Sequence, residues 1–417
     1  MNRNIVITNT TVVTPLGSSA RKGDEMGRLH VVNDAAVVVE DGIISFAGPM
    51  AEMPAVDARF EKIDAAGKVV MPGFVDSHTH LVFGGFRPDE FEWRMKGDSY
   101  MSIMERGGGI QSTVNATRSE SAESLVSKAR FFLDRMTEMG VTTVEAKTGY
   151  GLDTASELKM LEVIETLASD GGKKMDVVAT FLGAHAVPKE YKGRTADYCD
   201  LIINEMIPLV KDRAAFFDIF TEKNVFEIED SRRLLQAARQ AGMKLKLHAD
   251  EIVTLGGAEL AAEMGAVSAD HLLHVSDEGI CRMADKGVVA TLLPLTAFSL
   301  REPFAPARKF IENGAAVALA TDLNPGSCFS GSIPLTIALA CIYMNMTMEE
   351  TVTALTLNAA AALDMAHSVG SIEKGKKGNL VMLAFDNFRV LPYYVGMNCV
   401  ETTVYEGNVV YSASSRL

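Results

Sequence analysis

His78 and His80 stand two residues apart at the end of an apolar run, Val70-Met-Pro-Gly-Phe-Val-Asp-Ser-His-Thr-His80. In an extended strand successive side chains alternate faces, so both imidazoles project the same way. Imidazole nitrogen is a good donor to Zn, Fe and related ions, and such a pair can chelate one metal. Alone, the pair reads equally well as a strand end carrying two polar histidines. Its company changes that. His185 closes Leu182-Gly-Ala-His185, and His248 opens His248-Ala-Asp-Glu251 at the end of another apolar run. Asp270-His271 and Thr321-Asp322 close two more. Five of the eight histidines therefore fall at run ends, while His30, His274 and His367 do not and read as structural or surface residues. Convergence on a metal site is the chemistry this pattern supports.

The elements that must position these groups alternate. Strand-like apolar runs occupy 69–78, 141–146, 177–183, 216–220, 245–248, 266–271, 288–293 and 315–321. Segments 121–139, 155–170, 229–241, 257–264 and 277–286 carry apolar residues at three and four spacing, as helices do. Eight β/α repeats predict an α/β fold, a (β/α)8 TIM-like parallel barrel with its site at the C-terminal strand ends. Both chain ends read differently, as short strands at 5–13, 33–39, 42–46, 60–64, 378–384, 399–405 and 409–411, with Glu40-Asp41-Gly42 and Glu406-Gly407-Asn408 as turns. Neither end alone buries a core, so the expectation is one small β-sandwich from residues 1–69 and 372–417, flanking a barrel over 70–371.

Composition excludes several classes. The 417 residues are 47% hydrophobic and 23% charged, as in a globular chain. No apolar stretch reaches the roughly 18 residues that span a bilayer, and Met1-Asn-Arg-Asn4 opens no signal peptide, so a cytoplasmic protein is expected. The formal charge of −14 disfavours nucleic acid and anionic membrane as partners. Cys199, Cys281, Cys328, Cys341 and Cys399 are scattered without C-x-x-C spacing, which argues for free thiols.

The motifs Phe74-Val-Asp-Ser-His-Thr-His80, Gly107-Gly-Gly-Ile-Gln-Ser-Thr113 with Ala116-Thr-Arg118, Thr180-Phe-Leu-Gly-Ala-His-Ala-Val-Pro188, Leu247-His-Ala-Asp-Glu251, Ser268-Ala-Asp-His-Leu272 and Ala320-Thr-Asp-Leu-Asn-Pro-Gly-Ser327 closely resemble stretches of the amidohydrolase superfamily. Nearly the whole chain resembles the branch that opens 4-imidazolone-5-propanoate to N-formimidoyl-L-glutamate in histidine degradation. That resemblance implies one divalent metal, Zn or Fe, held by His78, His80, His248 and Asp322, with Glu251 and His271 beside the reacting centre. It further implies substrate contacts at Arg87, Tyr100, Tyr150, His185, Glu251, Asn324, Gly326 and Ser327, and a homodimer.

Elementary chemistry agrees. Three imidazoles and a carboxylate leave a place for water on the ion. Asp322 then serves as ligand and proton acceptor, Glu251 as proton shuttle, and His271 as a hydrogen-bonding partner of the water or the developing oxyanion. An arginine fork at Arg87, in the long connection after the first strand, suits a propionate carboxylate. Gly107-Gly108-Gly109 lacks the spacing of a phosphate-binding Walker loop. Three positions depart from the branch's usual pattern: Thr148 for Ser, Thr221 for Cys and Leu295 for Gly. A leucine at the mouth of the seventh strand is expected to add bulk near a pocket wall. Some superfamily members bridge two metals with a lysine at the end of the fourth strand, but Lys223 lies past that strand and the branch resembled here uses one metal. Two other readings stay open: a metal-dependent deaminase of a heterocyclic amine, which would not need Arg87, and a metal-stabilised scaffold, which would not need Glu251 and His271.

Overall fold

The computed structural model describes residues 4–98, 106 and 108–413. Eight parallel strands follow one another around a sheet in chain order: Phe74–Asp76, Val141–Lys147, Asp176–Ala184, Phe216–Thr221, Lys244–Ala249, Ser268–His271, Val289–Leu292 and Val317–Leu319. These are the eight runs expected from sequence. The first and eighth meet through side chain and loop. Asp76 accepts from Thr321 N at 3.0 Å and from Thr321 Oγ1 at 2.6 Å, while Asp322 N donates to His78 O and His80 N to Leu323 O. Barrel closure thus ties the two segments that carry His78, His80 and Asp322 directly together.

The predicted helices form where their caps and apolar stripes place them. Ala122–Glu138 starts at Ser121, whose hydroxyl accepts from Ser124 N, and buries Leu125, Val126, Ala129, Phe132 and Met136. Thr154–Ser169 is capped by Asp153, and Asp277–Lys286 by Ser276 and by the left-handed Gly287 at its C-terminus.

The sandwich expected from the two chain ends takes the form of a single eight-stranded sheet. Ile5–Thr14 lies at its centre, and Leu380–Leu383, Val400–Tyr405 and Asn408–Ser412 join from the other end. Ile5, Ile7, Val12, Val37, Val39, Val70, Leu380 and Val404 build its own core. One boundary differs from the sequence reading. The run 69–78 is not one strand: Val69–Pro72 pairs with Ile5–Thr14 and Leu380–Leu383 in the terminal sheet, and only Phe74–Asp76 enters the barrel. Gly73 is the break. A Cβ there would sit 2.2 Å from Thr142 Oγ1, so only glycine allows the chain to cross against the second barrel strand.

Candidate active site

Just beyond the first barrel strand the side chains of His78 and His80 converge with His248 and Asp322. Asp322 Oδ1 lies 3.5 Å from His78 Nε2 and 3.5 Å from His80 Nε2, and His248 Nε2 lies 3.3 Å from His80 Nε2. Potential ligand atoms lie within 4.8 Å of one another in three overlapping groups: His78, His80 and Asp322; His78, His248 and His271; His80, His185 and His248. All but His185 are buried. His78 Nε2 and Asp322 Oδ1 have no hydrogen-bond partner although fully enclosed. Buried acceptors facing one another without a donor are costly, and a cation between them satisfies all of them at once. The donor set, imidazole nitrogen with one carboxylate oxygen, suits a divalent Zn or Fe ion.

The outer nitrogens fix this arrangement. His78 Nδ1 is 2.6 Å from Asp270 Oδ2, and His248 Nδ1 is 3.1 Å from Asp218 Oδ2. A carboxylate on Nδ1 holds the proton there and leaves the Nε2 lone pair free. Behind the two carboxylates lies an ionic web that sequence reading missed. Lys147 Nζ is 2.7 Å from Asp218 Oδ2 and 2.7 Å from Glu145 Oε2; Lys246 Nζ is 3.5 Å from Glu145 Oε1 and 3.6 Å from Asp270 Oδ2. Every member has 0% side-chain exposure. The signal was present: Lys246 precedes His248 by two residues, as Ser268 precedes Asp270, so the alternation that paired His78 with His80 also turns these groups inward.

Burial, then the Lys147 charge, holds the His78 imidazole well below its usual range. Burial and neighbouring imidazoles do the same to His80 and His271, so all three are neutral, the ligand form. Burial also opposes the charged form of His248, but the Asp218 charge and hydrogen bond outweigh it and raise its pKa. Burial pushes the Asp322 carboxyl up to about 6. Glu251 rises to about 8, through burial first and the Asp322 charge second.

Backbone strain accompanies this chemistry. Asp250, His271 and Asp322 all have positive φ, at 48°, 75° and 54°. Asp250 offsets its share by accepting four backbone N–H groups from Leu255 to Ala258, which turns the chain so that Glu251 follows His248 at the rim. Glu251 Oε1 lies 3.5 Å from His271 Nδ1 and its side chain is 15% exposed. Thr296 Oγ1 donates to Asp322 Oδ2 at 2.6 Å.

Of the residues expected to touch substrate, Tyr150 and His185 lie directly beside this centre. His185 stacks on His80 with ring centroids 5.0 Å apart, and Tyr150 lies 5.8 Å from His80 and 5.2 Å from His185. Asn324 Oδ1 accepts from the backbone N–H of Gly326, Ser327 and Cys328, shaping the loop after the eighth strand. Arg87 presses on that loop: a Cβ on Gly326 would sit 1.4 Å from Arg87 Nη2. Tyr100 and Gly107 lie outside the described residues. The departures resolve physically. Leu295 is 1% exposed and packs with Cys328 and Leu339. Thr148 and Thr221 are buried at strand ends, and Lys223 is exposed and remote from the buried web.

A sequence model described as the amidohydrolase family matches residues 69–410. A Bacteroides fragilis protein named imidazolonepropionase is 61% identical over 415 residues, covering 99% of each chain. A Clostridium tetani protein of the same name is 53% identical over 416 residues, again covering 99% of each. Among solved structures, a 5-methylcytosine deaminase from Klebsiella pneumoniae superposes with a TM-score of 0.75 at 18% identity, covering 99% of this chain and 98% of that one. An E. coli guanine deaminase gives 0.73 at 15% identity, covering 98% and 99%. At such identities these two structures share the fold alone.

Proposed function

The chain belongs to the amidohydrolase family and, within it, to the imidazolonepropionases, and from this premise we propose how its site works. It hydrolyses the ring C–N bond of 4-imidazolone-5-propanoate to N-formimidoyl-L-glutamate. The observation that carries the site assignment is the convergence of buried, unpartnered His78 Nε2 and Asp322 Oδ1 beside His80 and His248. These four residues are the proposed ligands of one divalent ion, Zn or Fe. When bound, the ion acidifies water so that hydroxide is at hand near neutral pH, and polarises the ring carbonyl.

The chain's own groups do the rest. Asp322, with Oδ2 tied to Thr296, accepts the proton of the attacking water on Oδ1. Glu251, whose burial favours the protonated form, carries a proton to the leaving ring nitrogen. His271, held neutral, hydrogen-bonds the developing oxyanion. Tyr150 and His185 flank the ring, Asn324, Gly326 and Ser327 shape the wall, and Arg87 meets the propionate, with Tyr100 expected to assist. Histidine degradation in the cytoplasm, as a homodimer without nucleic-acid or membrane partners, completes the reading. Among the described residues no helix is long and apolar enough to cross a membrane.

Turnover of the purified, metal-loaded chain on imidazolonepropionate and on a panel of amino-heterocycles tests this. Ring opening with no ammonia release from the amines is expected. Deamination as the faster reaction would replace it with the deaminase reading.

A further inference from the structure

Two guanidiniums, not one, meet at Gly326. Arg87 Nη2 lies 1.4 Å from where a Cβ on Gly326 would sit, and Arg94 Nη2 donates to Gly326 O at 3.0 Å. Arg94 sits one helical turn past Glu90 on Pro88–Met95, the helix that begins beside Arg87. Among the described residues only one carboxylate serves this pair. Glu90 Oε2 lies 3.4 Å from Arg87 Nη1, and Glu90 Oε1 already accepts from Gly109 N at 3.1 Å. Among the described residues the Gly326 carbonyl is the one hydrogen-bond partner of the Arg94 guanidinium, and no carboxylate pairs with it. The Nε atoms of both arginines are enclosed without a partner. Arg87 is 11% and Glu90 14% exposed, and Arg94 is half-buried. Among the described residues, two positive charges against one negative, partly withdrawn from water and with unused N–H groups, leave a seat for one more anion.

We propose that Arg94 is a second specificity-determining residue, which together with Arg87 binds the propionate carboxylate of the substrate across Gly326. This rests on the reading that Arg87 meets that carboxylate. Two forks around one carboxylate add binding for the tailed substrate that a ring without the tail cannot gain. A side chain at Gly326 would displace the Arg87 fork from its place against this loop.

The test compares Arg94→Gln, Arg94→Lys and Arg87→Met on imidazolonepropionate and on the same ring without the tail. Gln keeps an N–H for the Gly326 carbonyl but no charge; Lys keeps the charge. Arg94→Gln is expected to raise KM for the tailed substrate about tenfold with kcat nearly unchanged, and to leave kcat/KM on the tailless ring alone. Arg94→Lys should recover most of the loss. Arg94→Gln behaving like the wild type, or both Arg94 variants losing equally on both rings, overturns the proposal, because Arg94 would then only brace the loop. Arg87→Met tells the two readings apart: lost tail selectivity there with none in Arg94→Gln sinks this inference alone, and no lost selectivity in either variant sinks both.

Discussion

His78 Nδ1 and Asp270 Oδ2 approach to 2.6 Å with neither side chain exposed, joining the first barrel strand's end to the sixth across the barrel interior. The contact fixes which imidazole nitrogen faces the proposed ion. Asp270→Asn keeps the shape but weakens the acceptor, so affinity for Zn or Fe should fall roughly 10- to 100-fold. Competition with a chelator of known affinity measures it. Unchanged affinity would reduce Asp270 to a partner of Lys246.

How far the site was legible in sequence follows from such pairs. His78, His80, His248, His271 and Asp322 stood out because each ends an apolar run, and a barrel brings strand ends to one face. Asp218, Glu145, Lys147 and Lys246 lie inside or along strands, where a charge reads as an interruption of the apolar pattern, and Asp270 stood out only as the neighbour of His271. Glu145 and Lys147 share a strand, but their other partners come from elsewhere in the barrel; Lys147 and Asp218 are 71 residues apart. The second guanidinium was hidden for the same reason, since Arg94 meets Gly326 at a separation of 232 residues. The break at Gly73 was hidden because the obstacle, Thr142, belongs to a different strand.

Glu251→Gln keeps size and hydrogen bonding but cannot carry a proton. Turnover should fall by roughly two to four orders of magnitude with metal content unchanged, as read by elemental analysis beside single-turnover rates. Near-normal turnover would leave Glu251 as a brace for His271.

The raised carboxyl groups also predict how the metal-stripped protein responds to pH. Glu251 at about 8 and Asp322 at about 6 bind protons in the folded state that the unfolded chain has already released. Over that window the folded state holds more protons, so stability falls as pH rises from the ordinary carboxyl range, roughly 4, to about 8. Melting temperatures of stripped wild type and Glu251→Gln across that range provide the comparison. The variant should show a shallower decline, and parallel curves would remove Glu251 from the account.

Lys147 offers the strongest test of the ionic web, because it is fully buried and touches two carboxylates at 2.7 Å. Burial opposes its charge, but Asp218 and Glu145 overcome that and hold it protonated. Lys147→Met fills much the same volume yet leaves Asp218 and Glu145 with one buried cation fewer. Breaking a buried pair by removing one partner costs about 3–5 kcal/mol. The loss should depend on pH in a definite sense. With Lys147 gone, the Asp218 carboxyl loses one of the charges that hold it well below the usual carboxylate range, so its pKa rises and the penalty grows as pH increases. Thermal unfolding of both proteins at about pH 5 and about pH 8 should therefore show a wider gap at the higher pH. A gap of equal size at both would mean that packing around the lysine stem, not its charge, is what the barrel interior requires.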